Sequence, residues 1–169
     1  MDKTARRLIE TAKKTPYFHL YDRETGELYM ERYWLKKFTD ARETSIRIHK
    51  IMRSDDARAL HDHPWESTSI ILDGGYWEIQ PMHEDQDPAF DAEYFTRVWK
   101  GPGDVTHRPA HGRHRLEVEP GTHAWTMFIM GKWEKDWGFY DAEEKFVYWR
   151  DYLNDYNTET STDKVKHED

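Results

Sequence analysis

The sequence predicts an all-β protein of the antiparallel sandwich or jelly-roll type, preceded by a single N-terminal helix. About ten short segments alternate in polarity or are rich in Tyr, Trp, Phe and β-branched residues, the composition of strands. Gly, Pro, Asn and Asp separate these segments at short intervals. No alternation of strand and helix patterns appears, so a parallel sheet with crossover helices is not expected.

A chain of 169 residues is long enough for one compact domain with a real core. Hydrophobic content of 37% and a mean hydropathy of -1.06 are low for such a core, but 15% of the residues are aromatic, among them 8 Trp and 10 Tyr. These large amphipathic rings supply the missing buried area. The net charge of -8 opposes association with phosphate backbones and anionic membranes, so neither a nucleic acid nor a membrane is expected as a partner. There is no cysteine, which excludes disulfides, thiolate ligands and a thiol nucleophile. Any metal must therefore be held by His and carboxylate. No apolar run of spanning length and no charged-then-apolar leader occurs, and a cytoplasmic location is expected.

Asp2 to Thr15 has helix chemistry: Asp2 or Thr4 can cap, Ala5, Leu8, Ile9 and Ala12 form one stripe, and Pro16 ends the run. Residues 1–16 are thus assigned to the helix, 17–156 to a single β domain and 157–169, which lack apolar periodicity, to a disordered tail. Tyr17 to Tyr21 and Glu27 to Leu35 read as two antiparallel strands around a loop containing Gly26. Ser45 to Arg53 alternates, with Ile46 and Ile48 on one face and Arg47, His49 and Ile51 on the other. Ser67 to Leu72 is an apolar strand running into a Gly74-Gly75 turn, and Gly75 to Gln80 reads as its hairpin return. Pro81 to Ala92 is an acidic excursion loop with lid potential. Strands are further expected at Glu93 to Trp99, Val105 to Pro109, Arg113 to Glu119, His123 to Met130, Trp137 to Tyr140 and Phe146 to Trp149, with a helical turn over Arg150 to Tyr156.

The chemistry-bearing stretch is Leu60 to Gly75, LHDHPWESTSIILDGG. His61 and His63 stand two apart, a spacing that on a strand sends both imidazoles out of one face toward a common point. Two histidines on an exposed strand face are the competing reading. Lys100 to Leu116, KGPGDVTHRPAHGRHRL, contains a tight Pro102-Gly103 turn braced by Asp104, a strand break at Pro109, and His114 entering the next strand.

These two stretches resemble the paired motifs of the cupin superfamily. The first cupin motif, an HxH pair followed by an acidic residue and then glycine, is matched by His61, His63 and Gly74; the second, PGD followed by proline and histidine, by Pro102, Gly103, Asp104, Pro109 and His114. HDHPW, RHRLE, AWTMF and WGFY are similar to a subgroup of small single-domain bacterial and phage cupins of the RmlC-like kind. The resemblance implies a jelly-roll barrel, a double-stranded β-helix, with a metal held by His61, His63 and His114. It also exposes a departure. Where the family carries a glutamate ligand stands Ser67, and Glu66 lies one place earlier, on the other side of a regular strand unless a bulge at Pro64 re-aims it.

A neutral three-histidine face leaves two or three open positions on an octahedral ion, room for a chelating substrate and dioxygen on Fe(II). Such a face suits Zn, Mn, Ni or Cu as well, and Zn with one open position would give a hydrolytic or Lewis-acid site. Fe(II) is the favoured divalent metal. The expected function is a metal-dependent enzyme, a nonheme Fe(II) oxygenase acting on a small anionic molecule; the alternatives are a non-redox isomerase, epimerase or Zn-type hydrolase, and a non-catalytic ligand-binding module. His107, Glu66 and Tyr76 are the candidates for catalytic proton handling, a surface residue and a fourth ligand being the other readings of His107. Arg47, His49, Ser67, Glu78, Trp125 and Met127 are candidates for the pocket wall. Exposed strand edges make a homodimer plausible.

Overall fold

The computed structural model describes residues 1–21, 25–36, 44–55, 59–81, 95–140 and 145–154. The excursion loop, most of the polar connection before Ser45 and the C-terminal tail expected from the sequence lie outside the described residues.

The helix forms as α1 (Lys3–Ala12) because Asp2 caps it, its carboxylate accepting from the Thr4 and Ala5 amides at 2.7 and 2.9 Å. Ala5, Ile9 and Ala12 fall on one buried stripe. Among the described residues twelve strands follow: β1 (Leu20–Tyr21), β2 (Leu28–Lys36), β3 (Ser45–Ile51), β4 (Leu60–His61), β5 (Ser67–Gly74), β6 (Tyr76–Pro81), β7 (Phe95–Lys100), β8 (Val105–Arg108), β9 (Arg115–Glu117), β10 (Ala124–Met130), β11 (Gly138–Tyr140) and β12 (Phe146–Tyr148), with α2 (Trp149–Asn154) after them. Every pairing is antiparallel. A six-stranded sheet has the order β1-β2-β3-β10-β5-β8, and two three-stranded sheets have the orders β7-β6-β9 and β12-β11-β4.

The two faces of the large sheet bury different sets. On the outer face, Tyr33, Ile48 and Trp125 pack under Ile9 and Ala12 of α1, with Leu8, Leu35, Leu72 and Met127 around them. On the inner face, Ile51, Ile71 and Ala124 meet Tyr76, Leu116 and Val118 of the opposing sheet and its flank, with Met30 alongside. This is the interior of the barrel. The alternation expected for β3 is realised, since Ile48 lies under the helix and Ile51 lies inside.

The Gly74-Gly75 turn works differently from the expected hairpin. β5 pairs with β10 and β8, whereas β6 pairs with β7 and β9, so the chain leaves one sheet for the other at this point. Gly74 makes the crossing with φ 69°, and a Cβ there would come within 1.9 Å of the His123 carbonyl oxygen. The PGD turn is built as expected: Gly103 takes φ 94°, and Asp104 Oδ2 accepts from the Gly101 amide at 2.8 Å. Among the described residues no helix is long and apolar enough to cross a membrane.

Ile48 is fully buried between α1 and the sheet. Ile48→Ala should lower stability by about 2–4 kcal/mol in urea denaturation, and because Ile48 faces away from the barrel interior, metal uptake by the folded variant should be unchanged.

Candidate metal centre

β4 is only two residues long, and its neighbours fix where its histidines point. His61 exchanges both backbone hydrogen bonds with His114, at 2.9 and 3.0 Å, which brings the two motifs side by side. Between His61 and His63, the fully buried Asp62 points the other way, its carboxylate accepting from the Gly138 amide at 3.0 Å, from the Tyr140 hydroxyl at 3.0 Å and from Lys135. With Asp62 anchored, alternation puts His61 and His63 on one face.

The three imidazoles of His61, His63 and His114 converge, each offering a ring nitrogen within 4.8 Å of the others. The ring centroids are 4.8 to 5.2 Å apart. His63 Nε2 lies 2.9 Å from His114 Nε2. Two nitrogens at about 2.1 Å from one ion and at right angles around it are about 3.0 Å apart, so this pair has the separation of adjacent ligands.

The tautomer of His114 follows from its other nitrogen. Nδ1 lies 2.9 Å from Glu78 Oε1, and a carboxylate only accepts, so Nδ1 carries the proton and Nε2 presents its lone pair inward. Glu78 is itself held by Arg108, whose Nε donates to Oε1 at 2.6 Å and whose terminal nitrogen donates to the same oxygen. Glu78, Arg108 and His114 are all buried. His61 Nδ1 stands 3.8 Å from Asp55 Oδ2, and Asp55 is fixed by the Tyr29 hydroxyl and the Leu116 amide.

Burial pulls the His61 imidazole below its ordinary pKa, against a smaller opposing influence of Asp55. His63 and His114 are pulled well below, first by burial, then by the positive field of their neighbours, the other histidines and Arg108. The three rings therefore stay neutral at physiological pH, the state a metal ligand requires.

The pocket residues expected from the sequence divide by strand parity. His49 is buried on the inner face of β3, stacked on Phe128 at 5.1 Å, and Phe128 stands 6.2 Å from His63. Arg47 shares that face and lies 3.8 Å over the Trp34 ring. Ser67 is buried, its hydroxyl without a hydrogen-bond partner, whereas the Glu66 side chain is 58% exposed. Glu66 thus does not replace the missing carboxylate ligand. The carboxylate of Glu78 instead meets His114, accepting from its Nδ1.

Other expectations need correction. Trp125 and Met127 sit on the outer face of β10 under α1, because the inward parity of that strand belongs to Thr126, which pairs with His49, and to Phe128. His107 and Glu66, expected as proton-transfer residues, are on the surface, 3.9 Å from each other, with His107 63% exposed and Nδ1 3.1 Å from Thr68 Oγ1. On β8 the inward position is Arg108, opposite Ser67, so His107 faces out. Tyr76 lies in the interior cluster with its hydroxyl 3.5 Å from Ser69 Oγ; burial raises its pKa, which keeps it a phenol. Sequence reading missed Arg108 and Asp55. Arg108 was legible in principle, since one inward residue on β8 fixes the parity of the rest.

No family model and no curated protein matches the sequence. Solved structures do. The polyketide cyclase RemF from Streptomyces resistomycificus superposes with a TM-score of 0.51 at 17% identity, over 71% of this chain and 75% of that one. HppE in its iron(II) form with substrate superposes with a TM-score of 0.52 at 12% identity, over 70% of this chain and 57% of that one, so this chain spans little more than half of HppE. The protein shares its β fold with these structures, an antiparallel barrel that in this chain is preceded by an N-terminal helix.

Two outcomes follow for the centre. Glu78→Ala strips Arg108 of its partner in the interior and should cost about 3–5 kcal/mol in denaturant unfolding, whereas Glu78→Gln should keep the fold and weaken metal affinity by about tenfold or more. His49, His61, His63 and His114 have folded pKa values below their unfolded values, so the unfolded chain binds more protons in acid. Metal-free protein should therefore hold its full histidine-linked stability above about pH 6.5 and lose it progressively as pH falls below that, read as a falling unfolding midpoint.

Proposed function

We propose that the protein is a metal-dependent enzyme, a nonheme Fe(II) oxygenase in which His61, His63 and His114 hold the ion and a small anionic molecule is the substrate. The observation that carries this reading is the convergence of three neutral imidazoles, His114 buried and His61 and His63 half-buried, with His63 and His114 nitrogens at 2.9 Å. A divalent ion bound there supplies Lewis acidity and, as iron, one-electron chemistry. Glu78 fixes the tautomer of His114 and Arg108 fixes Glu78, so the ligand face is set before substrate arrives. Three neutral ligands leave the ion's charge uncompensated, which favours an anionic substrate. The likeness to the iron(II) form of HppE agrees with this reading at the level of fold. The non-redox alternative loses its expected bases, since Glu66 and His107 are exposed on the surface. A homodimer through the exposed edges β1 or β8 belongs to the proposal and is read by light scattering.

The test is metal analysis of protein purified without a histidine tag, followed by oxygen uptake in the presence of Fe(II) and a panel of small carboxylic acids. One equivalent of metal and acid-dependent oxygen consumption are expected. Bound zinc with no oxygen use would move the assignment to Lewis-acid chemistry. His61→Ala and His114→Ala should each reduce metal retention by about a hundredfold, while His107→Ala should leave it unchanged; full metal content in His114→Ala contradicts the ligand set.

A further inference from the structure

Two guanidinium groups stand on the inner face of the large sheet with no acidic partner among the described residues. The register of β2 with β3 sets Arg32 opposite His49 and Trp34 opposite Arg47, on the face that Met30 and Ile51 turn toward the barrel interior. Arg32 donates Nε to the Phe18 carbonyl at 3.2 Å and packs over the Phe18 ring at 4.5 Å. Arg47 packs over Trp34, and its buried Nε has no hydrogen-bond partner. Beside them, His49 is buried with Nε2 equally unpartnered.

Elsewhere in the interior the chain neutralises its charges: Arg108 meets Glu78, and Lys135 meets Asp62. The Arg32 and Arg47 pair breaks that pattern. Burial, and for Arg32 the field of Arg47 as well, pulls Arg32 down to about 9, and burial pulls Arg47 down to about 10, the direction expected of cations that lack a counterion. Both guanidiniums are half-buried, and charge that is part-buried without a counterion, like an orphaned donor, is costly; such costs persist where a ligand relieves them. The place is also significant. His49 stacks on Phe128, and Phe128 is 6.2 Å from His63, so the orphaned donors begin one ring away from the metal face.

We propose that Arg32, Arg47 and His49 form an anion-binding subsite that holds the carboxylate of the substrate, while a second oxygen donor of the same molecule reaches the metal. This rests on the three-histidine reading above and names the substrate class: a short carboxylic acid carrying a hydroxyl, oxo or second carboxylate group. Guanidinium forks match carboxylate oxygens in plane, and the imidazole Nε2 adds a donor from the side.

The test is isothermal titration of malonate, with acetate as the one-ended control, into the full chain loaded with Zn(II) and into the metal-free chain. The zinc form should bind malonate more tightly than acetate, and the metal-free form should bind both weakly. Arg32→Met and Arg47→Met should each weaken malonate binding by about tenfold or more, with zinc content unchanged. Arg47→Lys, which keeps the charge and the stacking stem but not the fork, should fall between, and it serves with Arg32→Lys if the Met variants do not fold. Equal malonate affinity in wild type and Arg variants overturns the proposal, as does loss of zinc together with malonate, which would make the pair part of the metal centre's scaffold. A chain that binds malonate through Arg32 and Arg47 but takes up no metal leaves the subsite standing and removes the three-histidine reading.

Discussion

The contact of His114 Nδ1 with Glu78, at 2.9 Å, is the constraint on which the geometry of the candidate centre depends. A carboxylate at full burial is tolerable only with a cation beside it, and Arg108 supplies that charge from β8 while Glu78 comes from β6. The pair therefore ties the two sheets together across the barrel. The same carboxylate oxygen then dictates which nitrogen of His114 is protonated. Orientation of a ligand, neutralisation of a buried charge and cohesion of the barrel are one arrangement of three side chains.

Around that arrangement, strand parity sorts the rest. Inward positions of the large sheet carry Arg32, His49, Ser67, Arg108 and Thr126, and outward positions carry Tyr33, Ile48, Trp125 and the histidine at 107. The interior is consequently split into an apolar floor, built by Ile51, Ile71, Tyr76 and Leu116, and a polar upper region of imidazoles and guanidiniums. A barrel with that division can exclude water from below while presenting charge above. The proposed substrate, an anionic molecule that also binds the metal, would lie in that polar region.

Much of this was legible in the sequence. The helix, its Asp2 cap, the PGD turn and the alternation of β3 followed from local rules, and the His61, His63 and His114 triad from spacing and motif. What escaped depended on partners far along the chain. Gly74-Gly75 reads locally as a hairpin, yet the following strand finds β7 and β9, and only the non-local pairings could reveal it. Trp125 and Met127 read from sequence as pocket candidates because β10 is apolar on both faces, which removes the alternation that sets a strand's parity. Glu78 reads from sequence as a wall residue without its partner, since Arg108 lies 30 residues away and no short motif links them.

The most direct measurement is anomalous scattering at the metal edge from crystals of the full chain grown with Fe(II) or Zn(II). A single strong peak at about 2.0–2.2 Å from one ring nitrogen of each of His61, His63 and His114 is the expected result, with His114 Nδ1 still on Glu78. A peak seated elsewhere, such as beside the surface pair of Glu66 and His107, or no peak between the three imidazoles at saturating metal, would contradict the centre on which the function rests.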